Sequence, residues 1–245
     1  MTKLNLNQVY KAFPTSDNKI NWALEDISLS AQENEFICIV GPSGCGKSTI
    51  LRMIAGLIPQ TRGDITLNGQ EILEPSANIG LVFQNATLFP WRTVRDNIAY
   101  SQDMNKNHDD QAVNDLIDLI NLSGYEDYYP RQLSGGMAQR VSLARTMINQ
   151  PEVFLLDEPL GALDAFTRAN LQDSLLELWQ NNRNLMIMVT HDVEEAVYMA
   201  SKVVVMKPHP GRISRVVDID MDYPRRRTSQ AFSDYRREII EELNF

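Results

Sequence analysis

The sequence predicts an α/β protein with a mainly parallel sheet, preceded by an antiparallel β segment and interrupted by an all-helical insert. Three patterns carry this reading. Four short apolar runs, Ile37-Cys38-Ile39-Val40, Leu81-Val82-Phe83, Val153-Phe154-Leu155-Leu156 and residues 185–189, are continuous rather than alternating. Strands covered on both faces have that character, and these alternate with helix-like segments, the first over residues 47–57. By contrast, the first 35 residues alternate, with Leu4, Leu6, Leu24, Ile27 and Leu29 separated by polar residues. That is the pattern of half-buried antiparallel strands, here broken by a polar loop over residues 15–21. Residues 64–69 predict one more strand and its turn.

The middle of the chain changes period. Val113, Leu116, Ile117 and Ile120 mark one helix face, begun by Asp109-Asp110 and stopped near Gly124. Met137, Val141, Ala144 and Ile148 mark another, stopped before Pro151. With no strand-like run between them, residues 85–151 read as a helical subdomain. The expected organisation is one domain over residues 1–245. Its core and antiparallel segment span 1–84 and 152–210, and a C-terminal extension spans 211–245, with a helix over 233–243.

Composition narrows the function classes. At 245 residues, 43% hydrophobic and 22% charged, the chain has an ordinary globular make-up. A net charge of −9 repels nucleic-acid backbones, so no nucleic-acid partner is expected. Arg225-Arg226-Arg227 and Arg236-Arg237 read as solvated surface arginines. The first 13 residues lack the apolar stretch of a signal peptide, and no apolar run approaches the length that spans a bilayer. Two cysteines, one in a strand-like run and one in a glycine-rich loop, suit a reduced, cytoplasmic setting.

Each buried run is followed by polar chemistry. After Val40 comes Gly41-Pro42-Ser43-Gly44-Cys45-Gly46-Lys47-Ser48, after Phe83 comes Gln84, after Leu156 come Asp157 and Glu158, and after Thr190 comes His191. Ligands of open parallel sheets bind beyond the carboxyl ends of the strands, so this edge is the candidate active site. The first loop matches G-x-x-x-x-G-K-[ST], in which glycines turn backbone N–H groups onto phosphate oxygens and a helix N-terminus adds its dipole. Lys47 would reach the β- and γ-phosphates, and the Ser48 hydroxyl would ligate Mg2+. Asp157 would hold Mg2+ and Glu158 polarise the attacking water. Ser134-Gly135-Gly136 opens the second middle helix, where Ser134 serves as an N-cap and the helix start as a second anion site. Helix-end charge at Cys45 favours a thiolate, and a reactive cysteine and an inert loop residue stand level as readings.

Gly41 to Thr49, Gln84, Leu133 to Gln139, Val153 to Glu158, Gly161-Ala162-Leu163-Asp164 and His191 together resemble the motif set of ABC-transporter ATPases. The resemblance covers nearly the whole chain. It implies a P-loop, RecA-like core and two subunits paired head to tail, the P-loop of one facing the Ser134 helix of the other across ATP-Mg2+. It also implies that Phe13 stacks on adenine and that Gln84 touches Mg2+ or water. Asp164 would belong to a loop crossing the dimer interface, and His191 would contact the γ-phosphate. Met137 departs from the glutamine of many relatives, and Asn34 stands where glycine is usual.

Narrower marks resemble importers of nitrate, sulfonates, taurine and related small solutes: residues 88–94 (Leu-Phe-Pro-Trp-Arg-Thr-Val), residues 161–168 and residues 209–213. The implied partners are an integral membrane permease, a second ATPase subunit and, indirectly, an extracytoplasmic solute-binding protein, with the chain peripheral on the cytoplasmic face. Trp91 reads equally as a core anchor or as part of a groove for a permease helix. The rival class is a soluble ABC ATPase of translation or DNA repair. Such translation factors usually carry two tandem cassettes, and the repair type has long coiled coils; this chain shows one cassette and no heptad array.

Overall fold

The computed structural model describes residues 2–14, 20–161 and 163–244. Residues 15–19 of the expected polar loop, and Ala162, lie outside the described residues. The chain divides into two compact units, residues 1–76 with 183–245, and residues 77–182.

In the first unit, β1 (Lys3–Pro14) pairs antiparallel with β2 (Ile20–Gln32), burying Leu4, Leu6, Val9, Leu24, Ile27 and Leu29 on one face. Every residue of β3 (Phe36–Val40) is buried, and α1 (Lys47–Ile54) follows it. Strands β4 (Arg62–Leu67) and β5 (Gln70–Glu71) complete an antiparallel sheet of order β2-β1-β4-β5. In the unit's other sheet, β3 lies parallel to β8 (Leu185–Thr190) on one side and β9 (Lys202–Lys207) on the other. Strand β10 (Arg212–Asp218) adds antiparallel to β9. Ile37, Ile39, Ile187 and Val189 have no exposed surface; each such side chain contributes about 1.5–3 kcal/mol of burial.

The second unit holds the parallel pair β6 (Ile79–Val82) and β7 (Val153–Asp157) and the helices between and after them. Helix α2 (Val94–Asn105) starts at a Thr93–Asp96 capping box, and α3 (Asp110–Leu119) starts where Asp109 accepts from the N–H groups of Gln111 and Ala112. A 3-10 turn (Pro130–Gln132) leads into α4 (Gly135–Met147). Val94, Ile98, Val113, Ile117, Val141 and Ala144 form the cluster joining the three helices. Helix α5 (Ala165–Asn182) buries Leu171, Leu175, Leu176 and Trp179 at helical spacing.

Back in the first unit, α6 (Val193–Met199) and the terminal α7 (Gln230–Asn244) explain the arginine clusters. The expectation of solvated arginines fails at Arg225, which is only 6% exposed. Its guanidinium donates to the carbonyls of Val197 at 2.7 Å, Ala200 at 2.5 Å, Ile219 at 3.2 Å and Met221 at 3.2 Å. A cation thus satisfies the orphan carbonyls at the C-terminal end of α6, where the helix dipole favours it. Arg227 lies 3.9 Å over the Tyr198 ring, and Arg236 pairs with Glu194 at 3.0 Å. Residues 223–244 therefore strap α6 to the unit.

Tyr223 completes this strap, donating its hydroxyl to the Met199 carbonyl at 2.7 Å. Burial, partly offset by the Arg225 charge, pushes its pKa up to about 12 from 10.0. The folded state holds this proton more tightly than the unfolded one, so the contribution is complete below pH 10 and fades as pH rises towards 12. Urea denaturation midpoints should fall over that interval, and Tyr223→Phe should flatten that part of the profile; an unchanged profile would refute the linkage.

Candidate functional site

The loop after β3 is shaped by close approaches. A Cβ on Gly41 would meet the Met206 carbonyl oxygen and the Cys45 sulfur, each at 2.8 Å. Gly46 has a φ of +96°, and its Cβ would lie 2.4 Å from Leu24 Cδ2. Gly44 also has a left-handed φ of +80°, but its Cβ would meet nothing among the described residues. The loop therefore turns sharply over a packed floor and presents its outer side, with Pro42, Ser43 and Gly44 exposed.

Helix α1 begins at Gly46 with no side-chain cap and no acidic residue in its first turn. Helices α2, α3, α4 and α6 all have a side-chain N-cap, from Thr93, Asp109, Ser134 and Asp192. An uncapped N-terminus wrapped by a glycine loop is a phosphate site in waiting. Lys47 sits beneath it, only 6% exposed, donating to the carbonyls of Gly41 at 2.8 Å and Pro42 at 3.1 Å. Ser48 and Thr49 follow in the first turn, half-buried.

Strand register brings His191 to the same edge. Val40 and Thr190 are direct partners in the parallel β3–β8 pair, so Gly41 and His191 leave adjacent strands side by side. The His191 side chain is exposed. Phe13, at the end of β1, is 40% exposed and lies 4.9 Å under the Lys11 ammonium.

The second unit repeats this logic. Val82 and Leu156 are partners in the parallel β6–β7 pair, so the segments holding Gln84 and Asp157-Glu158 emerge together. Gln84 Nε2 donates to Glu158 Oε2 at 3.1 Å. Asp157, the last residue of β7, is 5% exposed, while Glu158 adopts a φ of 48°. A left-handed glutamate is a strained backbone, a feature that clusters at functional sites.

Ser134 is the N-cap of α4, its hydroxyl accepting from the Met137 N–H at 3.2 Å. A Cβ built at Gly136 would meet Leu163 Cδ2 at 2.7 Å, whereas one at Gly135 would meet nothing among the described residues. Asp164 opens α5 by accepting from the N–H groups of Phe166 and Thr167 at 3.1 and 3.0 Å. Bonds from Thr167 lead the causes that lower its pKa.

Two expectations need correction. Cys45 is no activated thiolate: its side chain is fully buried, and burial raises its pKa against the opposing pull of Lys47. Trp91 is no core anchor, being 71% exposed. Its loop is held from beneath by fully buried Asn97, which accepts from Phe89 N–H at 2.9 Å and donates to the carbonyls of Phe89, Arg92 and Thr93 at 2.9–3.2 Å.

Two further supports lie in stretches marked in the sequence only by resemblance, with no structural role read for them. Gly211 seats the phosphate loop: its N–H donates to the Ala23 carbonyl at 3.0 Å, and its own carbonyl accepts from Glu25 at 2.9 Å. A Cβ there would lie 2.1 Å from the Cys45 carbonyl oxygen. Gln139, 4% exposed on α4, donates to the Phe83 carbonyl at 2.9 Å, tying that helix to the segment carrying Gln84. Residues 209–213 stood out as a family mark, but a glycine after proline gives no local sign of the close approach it permits.

A family model described as ABC transporter matches residues 24–161. An uncharacterized ABC transporter ATP-binding protein of Methanocaldococcus jannaschii is 47% identical over 97% of this chain and 90% of its own length. An aliphatic sulfonates import ATP-binding protein of Bacillus subtilis is 46% identical over 95% of this chain and 91% of its own. A taurine import ATP-binding protein of Roseobacter denitrificans is 39% identical over 98% and 93%. Among solved structures, the ATP-binding cassette MJ0796, dimeric in a post-hydrolysis state with ADP and Pi, superposes with a TM-score of 0.81. It is 27% identical and covers 89% of this chain and 100% of its own.

Gly211→Ala should destabilise the protein by about 1–3 kcal/mol, because a methyl group would collide with backbone rather than with a movable side chain. A melting temperature equal to that of the wild type would show that the phosphate loop does not depend on this seat.

Proposed function

This chain belongs to the ABC transporter family of ATP-binding subunits, and from that premise we propose that it powers a membrane importer of sulfonates, taurine or a similar small solute. The chain binds and hydrolyses ATP through a P-loop, RecA-like core with an antiparallel β subdomain and helical insertions. The importer reading rests on relatives named for sulfonate and taurine import that match almost end to end.

The observation that carries the hydrolytic reading is the Gln84–Glu158 hydrogen bond. Phosphoryl transfer to water needs a positioned base more than covalent help. The Gln84 amide steadies one carboxylate oxygen of Glu158, and the strained backbone at Glu158 sets the direction of the side chain. Glu158 then takes the proton of the attacking water. Lys47, Gly41 to Gly46 and the N-terminus of α1 hold the β- and γ-phosphates, with Ser48 and Thr49 in the turn behind them. His191 contacts the γ-phosphate, and Phe13 offers its exposed ring to adenine.

The donor set suits Mg2+. In the first unit Ser48 would offer a hydroxyl, and in the second Gln84 would offer an amide oxygen and Asp157 a buried carboxylate, ligand types that bind Mg2+ together with substrate phosphates. No group of three or more His, Cys, Asp or Glu able to hold a metal alone occurs among the described residues. When bound, the ion neutralises phosphate charge.

The subunit works as a head-to-tail dimer, with a second copy of itself as the simplest partner. Gly135 supports this: no neighbour within the described chain requires glycine at an exposed first helical position, where alanine would ordinarily be preferred. The demand comes from outside, as the partner's nucleotide approaches Ser134, Gly135 and Gly136, with Asp164 in the loop beside the interface. ATP favours the closed dimer by binding it better than the open one.

No helix among the described residues is long and apolar enough to cross a membrane. The chain would therefore reach the cytoplasmic face through a separate permease, with the rigid Trp91 loop receiving a permease helix. A solute-binding protein would lie beyond that permease.

Glu158→Gln should keep ATP binding and dimerisation and lose hydrolysis by about 100-fold or more; near-normal turnover would remove Glu158 as the base. The same variant, purified from native membranes with ATP-Mg, should carry an integral membrane permease, and ribosomal or repair partners instead would overturn the importer reading. Gly135→Ala should melt at or slightly above the wild-type temperature while hydrolysis falls; unchanged turnover would count against the trans contact.

A further inference from the structure

The residues on either side of His191 are held by a continuous hydrogen-bond relay. The Asp192 N–H donates to Thr190 Oγ1 at 3.0 Å, and the Thr190 hydroxyl in turn donates to Glu195 Oε2 at 2.7 Å. Both side chains are buried, Thr190 at 3% and Glu195 at 6% exposure. Asp192 is pinned a second time, because its carboxylate caps α6 by accepting from Glu194 N at 2.8 Å and Glu195 N at 3.3 Å.

This differs from an ordinary capping box, in which the N3 glutamate reaches back to the N-cap N–H directly. Here the Asp192 N–H is taken by a threonine one residue before the histidine, and the glutamate orients that threonine. With its proton committed to the carboxylate, the hydroxyl can only accept from Asp192. The chain is thereby clamped across His191, from the last residue of β8 to the cap of α6. Thr190 is fixed in the sheet opposite Val40, and the far end of α6 is braced by Arg225. His191 itself is exposed.

We propose that Thr190 and Glu195 are positioning residues for ATP hydrolysis, acting solely by fixing the direction in which His191 leaves the sheet edge. This rests on the reading of His191 as the γ-phosphate contact. Thr190 and Glu195 are buried, so the relay acts through the histidine and not on the nucleotide directly. A small error in histidine placement lowers the rate of the chemical step while leaving nucleotide affinity to the P-loop.

The test is a double-mutant cycle on the full chain, with steady-state hydrolysis at varied ATP and excess Mg2+. Thr190→Val, which keeps shape and removes the hydroxyl, should lower kcat about tenfold with KM for ATP changed less than about twofold. Thr190→Ser should restore kcat to within about twofold, because it restores the acceptor and donor. In a His191→Ala background, Thr190→Val should have no further effect, since the group it positions is gone. An additive loss in that background, or no rescue by serine, would overturn the positioning role while leaving His191 in place. A His191→Ala enzyme with wild-type kcat would instead overturn the histidine reading, and the positioning role with it.

Discussion

The phosphate loop exists because several atoms come closer than any side chain would allow. Met206 and Cys45 crowd Gly41, Leu24 crowds Gly46, and the carbonyl of Cys45 presses on Gly211. These contacts join three otherwise separate pieces of the first unit: the end of β3, the antiparallel strand β2, and the turn between β9 and β10. Once they are made, the N-terminus of α1 is held open with Lys47 folded beneath it. The antiparallel sheet is thus more than an appendage, since Leu24 and Ala23 of β2 form the floor on which the loop rests.

Parallel pairing supplies the second constraint. Residues directly opposite one another at the carboxyl ends of neighbouring strands bring their succeeding loops to one edge, and this happens in both units. Val40 opposite Thr190 sets the loop beside the histidine, and Val82 opposite Leu156 sets Gln84 beside Glu158. Candidate site groups far apart in the chain are placed by backbone ladders, which are stiff, and then trimmed by short side-chain bonds such as that between Gln84 and Glu158. Gln139 extends this trimming into α4, so the helix that begins at Ser134 is fastened to the strand end before Gln84.

Much of this was readable in the residues. Continuous apolar runs announced β3, β7 and β8 as fully buried strands, whereas β6 covers Ile79–Val82 with only Val82 buried and Phe83 falls beyond it. What escaped was support from elements whose local signals were weak. Strand β9 lies among the valines of residues 203–205, yet it is separated from any motif and drew no reading. The buried stripe of α5 was present at helical spacing, but it was overshadowed by the Gly-Ala-Leu-Asp run before it. Arg225 was misread because three consecutive arginines look solvated, and only tertiary structure reveals four carbonyls waiting for one of them. Cys45 was left with two readings for the same reason. Sequence placed it at a helix start, whereas packing against Gly41 and Gly211 sealed it from solvent.

The strap formed by residues 223–244 bears on how the protein is made. Strand β3 finds its two neighbours roughly 150 residues later, and α6 is not secured until Arg225 arrives. Residues 77–182 form a contiguous stretch and emerge from the ribosome able to gather their own core. The first unit is split around them and waits for nearly the whole chain. Synthesis therefore passes through a long interval in which β3 is present without partners, and long-range pairing of this kind is slow and exposed to aggregation. A chain that stopped a few dozen residues short would have every motif of an ATPase and lack the last clasp that closes it.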